Sequence, residues 1–104
     1  MSQLDVQPGP DGLLRASLAE EWSIAEAADL AARLEAACPS DTPWCLEASE
    51  LAHADLAIWQ VLYRHARRAS AFQLAGPAPA LDELSAALAL PPPASWATLS
   101  TSDA

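Results

Sequence analysis

Residues Leu51 to Leu62 read LAHADLAIWQVL. They follow a strand-like run, Trp44-Cys45-Leu46-Glu47-Ala48, and they open a helix at Asp55. In an open α/β sheet a ligand or partner meets the fold at such a junction, where a strand ends and the next helix begins. Asp55 can cap that helix by accepting from the N–H of Ala57 or Ile58, and its charge suits the positive end of the helix dipole. His53 is expected in the turn before it. Glu47 is expected at the carboxyl end of the strand, facing the same crevice. Each also has a plain structural use, as a polar loop residue and as a carboxylate bonded to backbone N–H groups.

Helical spacing predicts that the helix runs from Leu56 to about Ala69. Ile58, Trp59, Leu62, Ala66 and Ala69 fall on the sheet side, and Gln60, Arg64, Arg67 and Arg68 on the water side. Three of the five arginines crowd its last turns and form the one basic spot on an acidic chain. They complement the negative end of the dipole, and they could also meet an acidic partner. His65 lies at the edge of the core face, a structural position with no nucleophile at motif spacing.

Upstream, Leu4-Asp5-Val6-Gln7 is a short strand ending at the turn Pro8-Gly9-Pro10-Asp11-Gly12. Leu14, Ala16 and Leu18 then alternate with Arg15 and Ser17, the period of a half-buried strand. The two runs predict an antiparallel hairpin at the sheet edge, with Ala19 to Trp22 as a connector. Ser23-Ile24-Ala25-Glu26 is a capping box. Ile24, Ala27, Leu30, Ala31, Leu34 and Cys38 share one helical face, and Pro39 stops the helix. Ala25, Ala28, Ala32 and Ala36 line the other side, either a docking face or plain good helix formers. The turn Pro39 to Pro43 leads into the Trp44–Ala48 strand, apolar enough to be covered on both faces.

Downstream, Ala71 to Ala75 is a fourth strand. Gly76-Pro77-Ala78-Pro79 starts a third helix with Asp82 and Glu83 in its first turn and Leu81, Leu84 and Leu88 as its buried stripe. Pro91-Pro92-Pro93 ends it. Residues 1–90 are expected to form one domain and residues 91–104 a flexible Pro/Ser/Thr-rich tail, with Trp96 its one large anchor.

Composition narrows the function. The chain has 104 residues, 52% apolar, and a net charge of −9 with no lysine. Such a surface repels phosphate backbones and anionic lipid, which argues against nucleic acid and membrane surfaces. No apolar run approaches the ~20 residues of a span, and the polar start is not a signal peptide. Cys38 and Cys45 fit no common zinc or redox spacing and read as buried thiols in a reducing cytoplasm. No metal site and no cofactor is expected. Three glycines leave no phosphate-binding motif, and no nucleophile–base pair is spaced for catalysis, so the chain is not read as an enzyme.

The order β-β-α-β-α-β-α predicts an α/β fold, an open mixed sheet of about four strands covered by helices. At this point the chain resembles a STAS domain, the fold of bacterial anti-sigma factor antagonists. The resemblance spans about residues 4 to 90. It is carried by Leu18-Ala19-Glu20-Glu21-Trp22-Ser23-Ile24, by Cys45-Leu46-Glu47-Ala48-Ser49, by Ala54-Asp55-Leu56-Ala57-Ile58-Trp59-Gln60-Val61-Leu62, and by Leu74-Ala75-Gly76-Pro77. The short stand-alone STAS proteins of chemosensory systems look most similar. In the family, an Asp-Ser or Asp-Thr pair opens the second helix, and a partner kinase phosphorylates that hydroxyl to break the complex. Here the pair is Asp55-Leu56, and leucine cannot be phosphorylated. Glu47 stands where the family usually has aspartate, and Ile58 where glycine or alanine is common.

The resemblance implies a non-enzymatic, cytoplasmic regulatory adaptor. Its partner, a kinase or anti-sigma-like protein or a chemosensory component, would bind through Glu47, His53, Asp55, Leu56, Trp59 and Gln60. Leu56 would either enter a partner's pocket or pack beneath Trp22 or Tyr63. An alternative is a cytoplasmic STAS subunit of a lipid or solute ABC transporter, bound to its ATPase. A small enzyme or nucleotide binder is the third reading, which the missing motifs disfavour.

Overall fold

The alternation of apolar and polar residues from Leu14 onward builds a strand at the middle of the protein. The computed structural model describes residues 2–9, 13–39 and 42–96. The chain runs β1 (Ser2–Pro8), β2 (Leu14–Trp22), a 3-10 turn (Ile24–Glu26), α1 (Ala27–Ala37), β3 (Trp44–Ala54), α2 (Leu56–Arg68), β4 (Phe72–Leu74), α3 (Pro79–Leu88) and a second 3-10 turn (Pro93–Ser95). The four strands form one sheet in the order β1-β2-β3-β4. β1 and β2 are antiparallel, and β3 runs parallel to both β2 and β4. The fold is therefore α/β with the expected mixed sheet.

The β1–β2 hairpin closes where the Gly9 N–H donates to the Leu13 carbonyl at 2.6 Å. A Cβ on Gly9 would lie 2.7 Å from that oxygen, so the close approach requires glycine. Residues 10–12 of the expected turn lie outside the described residues.

Register sorts the sheet into two faces. Val6, Ala16, Leu46 and Leu74 form one row and Leu14, Trp44 and Phe72 the next, both on the core side. Leu30 and Leu34 of α1 and Ile58 and Leu62 of α2 bury themselves there. Asp5, Ser17 and Glu47, then Gln7, Arg15, Cys45 and Gln73, form rows on the other side. On that side Arg15 and Gln73 are exposed and Glu47 is half-buried while Cys45 is buried, so the central strand is covered fully on one face and only in part on the other, which corrects the expectation of two covered faces. Both crossovers step the same way across the sheet, and right-handed connections then place both helices on one face.

Two strands are longer than their sequence suggests. β2 continues through Ala19 to Trp22, and β3 continues through Ala54. Between Ser17 and Ala19, and again between Glu20 and Glu21, β3 gains one residue on β2. Each extra residue flips the apolar phase, so the pattern reads as a strand end where pairing continues. Glu20 sits at the second irregularity with φ 71°.

Two apolar residues expected in the core are exposed. Ile24 is 70% exposed. The first turn at the capping box is 3-10, tighter than the wheel assumed, so its residues do not share the α1 phase. Leu88 is 47% exposed at the last position of α3, where Ala89 turns the chain left-handed. Ser85 is buried instead; its hydroxyl accepts from Trp59 Nε1 and donates to the Leu81 carbonyl, both at 2.8 Å.

The segment after α3 lies against the body. Trp96 is fully buried, meeting Trp59, Tyr63 and Phe72 at ring distances of 5.5, 5.6 and 5.9 Å. Its Nε1 donates to the Pro91 carbonyl at 3.0 Å. Of the expected tail, residues 97–104 lie outside the described residues.

Candidate functional site

The end of β3 brings three chain segments together around one carboxylate. The Asp55 N–H donates to the Trp22 carbonyl at 3.2 Å, which ties the end of β3 to the end of β2. The Asp55 carbonyl accepts from Ile58 and Trp59 and so starts α2. Its side chain does not cap that helix, contrary to expectation. Oδ2 accepts from the Ile24 N–H at 2.8 Å, and Oδ1 accepts from His53 Nε2 at 2.9 Å. A carboxylate only accepts, so His53 carries its proton on Nε2. Asp55 thus caps the turn that leads into α1 while standing at the head of α2, and one residue fixes both helix starts relative to each other.

The same bonds set its charge. The Ile24 N–H, and after it the His53 hydrogen bond, hold the Asp55 carboxyl below its ordinary value of 3.8. Ser23 and Glu26 complete the corner. The Glu26 carboxylate accepts from the Ser23 N–H at 2.7 Å and from its hydroxyl at 2.8 Å, which satisfies the turn that presents Ile24.

Two large apolar side chains are exposed at this corner, Ile24 and Leu56. Leu56, the first residue of α2, is 41% exposed, so a large part of its side chain is open to solvent. Ile24 stands across the Asp55 bridge from it. Gln60 is exposed one turn further along α2, on the same side as Leu56.

Two of the six expected contact residues are elsewhere. Trp59 is only 3% exposed, its ring held between Tyr63, Trp96 and Ser85, so it supports α2 from beneath. Glu47 pairs with Ser17 in the middle of β3, and its carboxylate accepts from the Ser49 hydroxyl at 2.6 Å. Eight residues at about 3.3 Å each put it roughly 25 Å down the strand from Asp55, and it does not share its crevice. His53 is corrected from turn to strand. Ile24 is an exposed residue at this corner that the sequence reading missed. The signal available was its place directly after the cap Ser23, where the helix face is not yet set.

Among the described residues no group of three or more His, Cys, Asp or Glu is placed to hold a metal ion. Both cysteines are buried free thiols, and burial pushes the Cys38 thiol up. No described helix is long and apolar enough to cross a membrane.

No curated protein and no solved structure matches the chain. A family model described as Mlab, STAS domain, matches residues 11–91, a span that takes in β2 through α3 with the Asp55 corner near its middle. The four-stranded mixed sheet, the parallel β2–β3 pair and a helix opening directly at the end of β3 agree with that match, and the chain belongs to the STAS domain family.

Proposed function

We propose that this STAS domain is a non-enzymatic adaptor that binds a partner protein through Ile24, His53, Asp55, Leu56 and Gln60. STAS membership supports a regulatory or interaction role in general. The observation that carries the finer reading is the exposed pair Ile24 and Leu56, held on either side of the Asp55 bridge. Large apolar side chains exposed beside a fixed polar group are what a protein interface uses as its centre. Leu56 is 41% exposed, so burying the remainder in a partner's pocket would contribute ~0.6–1.2 kcal/mol, a gain of roughly threefold to eightfold in affinity.

Position 56 also sets the kind of regulation. A phosphorylated hydroxyl there would add about −1.5 to −2 charge beside Asp55 and repel a partner. Leucine offers no hydroxyl, so the contact is constitutive. A contact that is not switched off suits a permanent subunit. This favours, as the second reading, a STAS subunit held on the ATPase of an ABC transporter over a kinase-released regulator.

The test is affinity purification from the native cell with the parent protein and with Leu56→Asp and Ile24→Asp. Both positions are exposed, so both variants are expected to melt like the parent and to lose the partner. Mass spectrometry of the eluate names it: an ATPase supports the transporter reading, a kinase or anti-sigma-like protein the regulatory one. Undiminished recovery of the partner by both variants would mean that the interface lies elsewhere. Phosphate found on Ser49, with release of the partner, would overturn the constitutive contact.

A further inference from the structure

The arginines of α2 are a motif the docking site above does not use. Gln60, Tyr63, Arg64, Arg67 and Arg68 line an open groove of ≈ 510 Å³ along α2, with the edge of Trp59 at its floor. The Tyr63 ring stacks on Trp59 at 4.8 Å, and the Arg67 guanidinium lies over Tyr63 at 5.7 Å. Arg68 and His65 turn the other way, toward Glu35 of α1, at 3.3 and 3.5 Å. Arg64 and Arg67 form no ion pair among the described residues. The chain has 14 carboxylates and five arginines, so pairing partners are plentiful. Two arginines left unpaired side by side, over an aromatic floor, stand against that excess.

We infer that this groove is a second docking site, which receives an acidic segment of a partner protein. Charge complementarity selects the occupant: the groove is the basic part of a surface that is otherwise strongly negative. Arg64 and Arg67 are three residues apart, about 4.5 Å along the axis at 1.5 Å per residue, so both forks can reach carboxylates carried close together on one peptide. Tyr63, stacked on Trp59, lies under the Arg67 guanidinium and supports it beside Arg64. A nucleic acid would bring a long run of phosphates against the net charge of −9, which disfavours it. The groove adjoins the Leu56 contact and shares Gln60 with it, but Arg64 and Arg67 lie beyond it on later turns of α2.

A fluorescein-labelled octaglutamate peptide is the probe. Its anisotropy is titrated with the full chain at low and at physiological salt, with an octalysine peptide as control, and amide shifts of the parent protein are mapped by NMR. The acidic peptide is expected to bind, to weaken as salt rises, and to shift the amides of residues 60–68. Arg64→Glu/Arg67→Glu is expected to weaken it by about tenfold or more, the loss of two charge-assisted contacts. Arg67→Lys keeps the charge and loses the planar fork, and is expected to fall between. The inference is overturned if octaglutamate does not bind, if its shifts map away from α2, or if reversal of the two arginines leaves binding intact. It is also overturned if a single-stranded oligonucleotide binds the groove and the peptide does not, or if the groove mediates self-association that the same reversal abolishes.

Discussion

Asp55 shows how one side chain can hold a position that its own helix does not explain. From sequence, a carboxylate before LAIWQVL reads as the cap of the following helix, because local spacing is all that is visible. Its partner is instead the Ile24 N–H, 31 residues earlier in the chain. Only the tertiary fold brings that donor into reach, so the residue was legible and its role was not. The bond has a consequence in pH. The folded carboxyl titrates below its ordinary value of 3.8, chiefly because the ionised form accepts from Ile24. A depressed carboxyl stabilises the fold above its unfolded pKa and loses that contribution as pH falls through the lower folded value. The Ile24 amide shift, followed by NMR from pH 6 downward, should therefore titrate with a midpoint below 3.8. In Asp55→Asn that titration should vanish. A midpoint at or above the ordinary value would show that the carboxylate does not hold Ile24 in solution.

The strands and helices were legible where one period runs unbroken. Leu14 to Leu18 alternates cleanly, which placed the start of β2 but not its end at Trp22, and α2 keeps its apolar stripe from Ile58 to Ala66, which made the whole helix readable to within a residue. β3 was readable only to Ala48, since the extra residue there flips the phase and makes the remainder look like a turn. α3 shows the opposite failure. Three leucines at helical spacing suggest a plain apolar stripe, yet the helix buries Ser85 and exposes Leu88. The serine is there because Trp59 brings an indole N–H into the interior, and a buried donor needs an acceptor. Ser85→Ala removes the acceptor and should destabilise the protein by about 1–3 kcal/mol, measured by urea unfolding. Trp59→Phe in the Ser85→Ala background removes the orphaned donor as well. The two changes together should then cost less than their sum. Strict additivity would show that the hydrogen bond contributes nothing at this site.

Across the chain, the parts that sequence hides are those that depend on which pieces meet. Composition was enough to expect one α/β domain, and the order of elements was enough for the sheet. That only one sheet face is fully covered follows from the handedness of two crossovers, which no local pattern displays. The proline-rich end is the clearest case. Pro91-Pro92-Pro93 and the Ser/Thr-rich residues after it read as a tail, and the family match also stops at residue 91. Yet Trp96 is fully buried in a cluster with Trp59, Tyr63 and Phe72, which joins α2 to β4. The prolines explain how. They start the 3-10 turn and restrict the backbone before it, so returning Trp96 to the body costs less chain entropy than a flexible linker would. Trp96→Ala empties the site and should destabilise the protein by about 3–5 kcal/mol, a large part of the ~5–15 kcal/mol that holds a domain of this kind folded. Trp96→Phe keeps most of the ring and should lose distinctly less. Urea unfolding followed by far-UV circular dichroism measures both without relying on the fluorophore that is removed. If Trp96→Ala unfolds within about 1 kcal/mol of the parent, a cost typical of sites outside the core, the ring does not occupy the cluster in solution and the folded unit ends with α3.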